Sequence, residues 1–563
     1  MEIKIKGKGK DTLSKRDFLA SGGEGSVYAK KGIAYKVYND KKKMIPVGKI
    51  NELSSLSDKN IIKPLDVIMD AKGQPIGYTM RHIKDTVALC SMFPKAFKDK
   101  RNMTPQQIFD LVDAMRKTTH HIHDENVLIV DCNEMNFLVS NDLKNVHFID
   151  VDSYQTSNFP ATALMESVRD RHMKPGKFNE GTDWFSWAVV TFQMFMGIHP
   201  YKGKHASLKG FDARMDKNVS IFSDDVSVPK IVPSFDILPP AYREWYEAVF
   251  QDGKRCEPPE DASVVLNIIS KIAKITGSDK LIIDEIGDYN RIGNIINVMF
   301  HFGKRVVHCQ GGLFVDGDKY DKVTVDHKIA FTETMNHVIT AKAENGKLRL
   351  KNISTGKDLP NQVSTEKLMS YEGRLFSLYN GAVSEIGFME MPTSTLPTPK
   401  LVANIMPQSS TMFDGVVVQE ILEARDFSMF PSKGRHCQVR IKELESKKVI
   451  DARYDRGVLM IISSDKSGKY SRFVIRFNPK HTEYDIREEE DITPQGLNFI
   501  VLDTKNVAHI NEDENLVIFK SEKGDKRATV IDDKSIRSDM RLYRWDSQAT
   551  FAVGSKLYRI KMK

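Results

Sequence analysis

Apolar residues recur along this chain with two different periods, and the change falls near residue 280. In the first part, Ile33–Tyr38 and Ile76–Ile83 read as strands, whereas Gln106–His123 and Asp183–Met196 space their apolar residues by three and four and predict helices. The longest apolar stretch, Trp184–Ile198, is interrupted by Ser186, Thr191 and Gln193 and falls short of the roughly 18–20 residues that cross a bilayer. It predicts a buried core helix and no membrane span.

From about residue 285 the texture is different. Short runs rich in Val, Ile, Phe and Tyr follow one another between Gly, Asn, Asp and Lys: Ile295–Phe302, Lys304–Val307, Val338–Ala343, Lys347–Ile353, Leu375–Tyr379, Leu459–Ser463, Phe473–Phe477, Asn515–Phe519 and Lys556–Ile560. This is an all-β pattern. The stretch His337–Gly356 has the form strand, Asn-Gly turn, strand, and it predicts the inner strands of a propeller blade, with a shorter echo at Ser370–Gly381. Roughly 280 residues at about 40–45 per blade predict six or seven blades. A degenerate β-propeller is therefore expected over 281–563, with a sandwich or two small β domains as the alternatives. A polar Gly/Ser break at Ala273–Lys280 marks the expected junction, so that 1–275 and 281–563 form separate domains.

Composition narrows the class without naming a function. At 563 residues the chain is too long for one core, and 40% hydrophobic with 28% charged residues fits an ordered globular protein. Residues 1–50 hold thirteen Lys or Arg against five acids, which accounts for the whole net charge of +8. Such a run is most simply a solvated face, and nucleic-acid binding does not follow from it. The N-terminal residues lack an apolar core, so no signal peptide is expected. Five scattered cysteines form neither a disulfide framework nor a zinc motif, which suggests a reducing cytoplasm.

The candidate chemistry lies in the first part. Leu19–Tyr28 contains Gly22, Gly23 and Gly25 in a turn between strands, where backbone N–H groups can approach phosphate oxygens. Lys36 falls on the next strand, beside Ala34, and Glu52 lies in a helical run sixteen residues further on. A buried lysine that grips phosphates needs a carboxylate, which makes Glu52 the expected partner. Then come Asp131, Asn136 after five residues, an apolar strand, a short turn, and a second apolar strand ending at Asp150. One carboxylate to orient a hydroxyl, and an amide with a second carboxylate to hold Mg2+, is the set that phosphoryl transfer requires.

This order resembles the protein kinase superfamily over about residues 15–275, with Asp131 and Asn136 in the place of the catalytic loop and Asp150 in the place of the metal-binding turn. Thr182-Asp183-Trp-Phe-Ser-Trp-Ala is similar to the start of the family's central helix, with Asp183 bracing the catalytic loop. Gly77–Ile83 and Phe148–Gln155 are similar to a bacterial and phage branch whose members often end in a helix-hairpin-helix tail, whereas this chain ends in β structure. The resemblance implies a bilobal α+β domain with ATP and Mg2+ as cofactors. Asp131 would be catalytic base, Lys36 and Glu52 the phosphate-positioning pair, and Asn136 and Asp150 the metal ligands. Gly22, Gly23 and Gly25 would surround the phosphates, and Val27 and Ala34 would wall the adenine. The implied activity is transfer of the γ-phosphate to Ser or Thr of a protein substrate recruited by the β domain; a pseudokinase scaffold and a small-molecule or nucleotidyl transferase are the alternatives. The chain departs from the pattern at Ala20, Ile129-Val130, Asn133 and Asp152, and no A-P-E triplet lies between Asp150 and Asp183.

Two other features have plainer readings. His120, His121 and His123 are expected to close a helix rather than bind metal, and the acidic run Glu488–Asp491 is expected to be a solvated loop.

Overall fold

The computed structural model describes the chain except for residues 175, 261–274, 276, 302, 520–526 and 546–547. The N-terminal part is mixed. Its strands are β1 (Glu2–Ile5), β2 (Gly9–Thr12), β3 (Phe18–Ser21), β4 (Gly25–Lys30), β5 (Ile33–Tyr38), β6 (Val67–Met69), β7 (Pro75–Arg81), β8 (Thr86–Ala88), β9 (Phe137–Ser140) and β10 (Val146–Phe148). Its helices are α1 (Val47–Leu53), α2 (Lys95–Arg101), α3 (Pro105–Asp124), α4 (Glu180–Met196), α5 (Gly210–Met215) and α6 (Pro240–Phe250).

The first seven strands form one antiparallel sheet in the order β2-β1-β6-β7-β5-β4-β3. Strand alternation divides β5 between two environments. Tyr35 joins Ile3, Ile5, Leu13, Ile68 and Ile76 on one face. Ala34, Lys36 and Tyr38 face the other way, where Tyr38 packs with Ile45, Ile50, Val67 and Tyr78. The approach of β7 to β5 requires glycine: a Cβ on Gly77 would lie 2.0 Å from the Lys36 carbonyl oxygen.

Below the sheet, α3 begins at a capping box in which Thr104 Oγ1 accepts from Gln107 N at 3.2 Å and Gln107 Oε1 accepts from Thr104 N at 2.9 Å. The apolar run read as a core helix is α4. It starts at Glu180, its Asn179 cap accepts from Thr182 N, and Thr182–Met196 is buried on every side. Among the described residues no helix is long and apolar enough to cross a membrane.

The C-terminal part is all-β, as the pattern predicts. Its described residues form seven four-stranded antiparallel sheets. Six follow in chain order, spanning 295–321, 328–358, 367–404, 410–440, 448–489 and 499–531. The seventh takes its three inner strands from Arg541–Met562 and its outermost from Leu281–Asp288, which pairs antiparallel with Lys556–Met562. Its innermost strand, Arg541–Trp545, neighbours those of both the first and the sixth sheets, so the series returns on itself as a ring. One expectation is corrected here. Val338–Glu344 and Lys347–Asn352 are the middle strands of their sheet, not the inner ones, while the echo Lys367–Tyr371 with Arg374–Tyr379 supplies a first and second strand. A tight turn joins both pairs, and the turn does not reveal the position within a sheet. The end of the first expected strand, Phe302, and residues 273, 274 and 276 of the Ala273–Lys280 junction fall outside the described residues.

The ring rests on the N-terminal part. Ile450, Ile462, Tyr470 and Ile492 belong to the same apolar core as α3 and α4. Lys202 Nζ donates to Ile492 O and pairs with Asp491, each at 2.8 Å. Gln408 Nε2 donates to the backbone oxygens of Arg16 and Ala29 beside the glycine-rich turn.

Candidate functional site

Strands β3 and β4 meet at the glycine-rich turn. Gly22 and Gly23 face open space, whereas a Cβ on Gly25 would lie 2.5 Å from Val37 O, so Gly25 is there to let β4 approach β5. Leu19, Val27, Ala34, Met80, Leu138 and Ile149 supply apolar walls to the cavity beneath. The same cavity is lined by Gly22, Gly23, Gly25, Lys36, Asp131, Asn136 and Asp150. Of the candidate residues, only Glu52 lies elsewhere.

Lys36 Nζ reaches Asp152 Oδ2 at 2.6 Å and Asp150 Oδ1 at 3.0 Å, with Glu24 at 3.8 Å. The expected Lys36–Glu52 pair does not form. Glu52 instead accepts from Asn158 Nδ2 at 2.6 Å, on the outer side of α1, and its carboxyl is held low by hydrogen bonds from Thr156 and Asn158. The buried residue of that helix turn is Lys49, whose Nζ lies 3.5 Å from Pro160 O. The helix phase is the reason: on so short a helix, the face holding Lys49, Ile50 and Leu53 turns inward.

Asp152 takes the role expected of Glu52. It is buried, and its Oδ2 also accepts from the Tyr38 hydroxyl at 2.5 Å. Burial alone would lower the Lys36 pKa, but the charges of Asp152 and Asp150 outweigh it and hold the amine above its ordinary value. Burial would likewise raise Asp152, yet Lys36 and the Tyr38 and Tyr78 hydroxyls keep it ionised. Asp150, whose side chain is partly open to the cavity, is pushed upward by burial with the Asp152 charge adding to it. The period of β5, which puts Tyr38 on the Lys36 face, was the available signal for this cluster; nothing local in the sequence separates Asp152 from Glu52.

Asp131 and Asn136 sit together. Asn136 Nδ2 donates to Asp131 O at 3.0 Å and approaches Asp131 Oδ2 at 3.4 Å. Strands β9 and β10 pair through Phe137 and Phe148, and Ile149 N donates to Asn136 O at 2.9 Å, which carries Asp150 to the neighbourhood of Asn136. Asp131 Oδ1 accepts from the backbone N–H of Met165 at 2.7 Å, a contact that sequence reading had no means of finding. Asp183, fully buried, accepts from Ile129 N at 2.7 Å, Val130 N at 2.8 Å and His123 Nε2 at 3.0 Å. These bonds hold Val130 at φ 62°, a costly conformation for a β-branched residue and one that turns the chain toward Asp131.

The donor set suits Mg2+ bound mainly through phosphate and water. Asp150 and the amide oxygen of Asn136 are hard oxygen ligands, and Mg2+ in such sites uses one or two carboxylates. Among the described residues no group of three or more His, Cys, Asp or Glu could hold a metal ion. The histidines diverge: His123 meets Asp183, His121 accepts from Ser57 N, and His120 meets Glu257.

No protein-family model matches this chain, and no curated protein matches it. Function therefore rests on the geometry of the cleft.

Four of the thirteen basic residues of the N-terminal run form surface pairs: Lys10 with Glu2, Lys30 with Asp11, Lys8 with Asp66 and Lys41 with Asp70. In the acidic run, Glu488 pairs with Lys447 and Asp491 with Lys202.

Proposed function

We propose that residues 1 to about 260 form a protein-kinase-like domain that transfers the γ-phosphate of ATP to a Ser or Thr hydroxyl, and that 281–563 is a seven-bladed β-propeller. The observation that carries the catalytic reading is the convergence of Lys36, Asp131, Asn136 and Asp150 on one cavity beneath a glycine-rich turn. These residues come from a strand, a loop and two turns spread over more than a hundred positions. Closure of the seventh sheet by Leu281–Asp288 supports the propeller reading, because that arrangement leaves no open end to the series.

In this reading Lys36 positions the phosphates and Asp152 keeps it charged and aimed. Mg2+ held by Asp150 and Asn136 would neutralise phosphate charge. Asp131 has Oδ1 engaged by Met165 N–H, and Oδ2, which Asn136 Nδ2 approaches at the longer distance of 3.4 Å, would orient the acceptor hydroxyl and take its proton. The bond from the γ-phosphorus to the bridging oxygen breaks, an ester to the acceptor oxygen forms, and ADP leaves with the bridging electron pair. The Met165 bond also favours a second reading, a pseudokinase scaffold, because it occupies half of the candidate base. Incubation with γ-labelled and α-labelled ATP separates them: protein-bound γ-label is expected, α-label would point to nucleotidyl transfer, and neither to a scaffold.

A further inference from the structure

The space around Lys36 and Asp131 does not end at the cleft. One cavity of about 2070 Å³ runs from the glycine-rich turn to the ring, and each of the seven innermost strands contributes to its wall, from Met299 in the first sheet to Leu542 in the last. Small-molecule sites measure roughly 300–1,000 Å³, so a nucleotide fills only part of this chamber.

The acceptor side of the chamber is built by both parts of the chain. Residues 162–165 line it, and so do Ser464, Asp465 and Lys466 of the ring hairpin that joins Val458–Ser464 to Tyr470–Phe477. The hairpin tip is pressed against the N-terminal part: a Cβ on Gly468 would lie 2.4 Å from Ser167 Oγ. Behind the tip, Tyr470 and Ile462 are built into the core of α3 and α4. The surface beside Asp131, on which a folded acceptor would have to dock, is therefore already covered by the ring.

On the phosphoryl-transfer reading above, we infer that the acceptor is a flexible, extended polypeptide segment that threads into this chamber, and that folded surfaces are excluded. A folded domain of roughly 100 residues, with a radius of gyration of about 13 Å, occupies on the order of ten times the chamber. An extended chain advances about 3.3 Å per residue and needs only its own width. The wall carries both signs of charge, Lys448 and Lys466 with Glu372 and Asp451. That suits a polypeptide of mixed polarity; a nucleic-acid strand calls for a groove of positive charge.

The test uses the full chain with Mg2+ and ATP, and one acceptor sequence chosen from a library of Ser/Thr peptides. The sequence is presented free, as a flexible tail on a folded carrier, and fixed in a loop of a folded domain. Peptide and tail are expected to agree within about threefold in kcat/KM, and the fixed loop to fall at least about 100-fold lower. Lys367→Trp, at an exposed position on the innermost strand of the third sheet, narrows the ring end of the chamber. It is expected to lower peptide kcat/KM about tenfold while leaving ATP hydrolysis without acceptor unchanged, with thermal melting as the check on folding. A fixed loop phosphorylated as well as the peptide, or a folded protein accepted when every peptide is refused, overturns the inference and leaves phosphoryl transfer standing. Absence of both hydrolysis and transfer overturns the two together.

Discussion

The cleft and the ring are held together in opposite ways. In the cleft each side chain occurs once and meets an unlike partner: Lys36 with Asp152, Asp131 with Met165 N–H, Asp183 with two backbone amides. Two of its residues, Val130 and Asp150, adopt left-handed backbone at φ 62° and 58°. The ring repeats one unit seven times and relies on alternation, as in Lys347–Asn352, where every second residue is buried. A single change in the cleft should remove chemistry, whereas the same change in the ring should remove packing energy.

The sharpest break in that comparison comes at Asp150, the proposed metal ligand. Asp150→Asn is expected to lower γ-phosphate transfer by about three orders of magnitude or more with little change in melting temperature, because the side chain is 42% exposed. Lys36→Met should abolish transfer as well, but at a cost in stability of roughly 3–5 kcal/mol, since it leaves Asp152 buried without its cation. Adding Asp152→Asn to Lys36→Met should restore stability without restoring transfer. Recovery of both would mean that the lysine has no part in the chemistry.

Next in size is the contrast between the two candidate partners of Lys36. Asp152→Asn is expected to cost about 100-fold in kcat/KM for ATP, and Glu52→Gln less than about twofold. The reverse ranking would put the phosphate-positioning pair back where the sequence order had placed it.

For the ring, Phe473→Ala removes a fully buried side chain. It should cost about 3–5 kcal/mol in denaturant unfolding while transfer below the melting range stays at the wild-type rate. A collapse of activity in a still-folded variant would show that the ring is not the passive half of the comparison.

This difference in construction also decides what the sequence reveals. Asp131, Asn136 and Asp150 were legible because one loop and one hairpin bring them together, and local spacing encodes both. Strand content in 281–563 was legible because alternation is local, and the helix at 183–196 because its apolar run is continuous. The Lys36–Glu52 pair was misread because it depends on which face α1 turns inward, and a helix of seven residues carries too little pattern to fix its phase. The Met165 contact with Asp131 spans 34 residues, joins two positions outside any strand or helix, and leaves no periodic trace. The covering of the acceptor side by Gly468 joins positions about three hundred apart and belongs to docking alone.

The seam between the two regions has its own titration. Glu134, in the candidate catalytic loop, is buried with its Oε2 unpartnered, and burial, helped by the charge of Asp131, pushes its carboxyl up to about 7. A folded-state pKa above the unfolded value means that the folded form binds the extra proton. Its contribution is therefore complete below about pH 4.5 and is lost as pH rises through about 7, on the order of 3 kcal/mol in all. Thermal unfolding at pH 5 and pH 8 should show this fall in the wild type, and Glu134→Gln should flatten it. Equal slopes in the two proteins would place the carboxylate in water and contradict the burial.

The smallest expected effect concerns phosphorylation of the segment between Asp150 and Asp183. In kinases that depend on such a phosphate, an arginine before the catalytic aspartate receives it; here the position is Val130, apolar and left-handed. Of the segment's hydroxyls, Ser153, Tyr154, Thr156 and Ser167 are buried, which leaves Ser157 exposed to a modifying enzyme and Thr162 exposed on the chamber wall. The two nearby guanidiniums are already engaged, Arg169 with Glu166 at 2.9 Å and Arg171 with Asp212 at 2.5 Å. A phosphate on Ser157 or Thr162 would have to break one of these pairs to gain another of similar strength, so it orders nothing new. Protein treated with phosphatase should keep its initial rate within about twofold. A tenfold loss that autophosphorylation restores would mean that Arg169 or Arg171 leaves its carboxylate for the phosphate, and control would then lie in the cleft rather than in the ring that covers it.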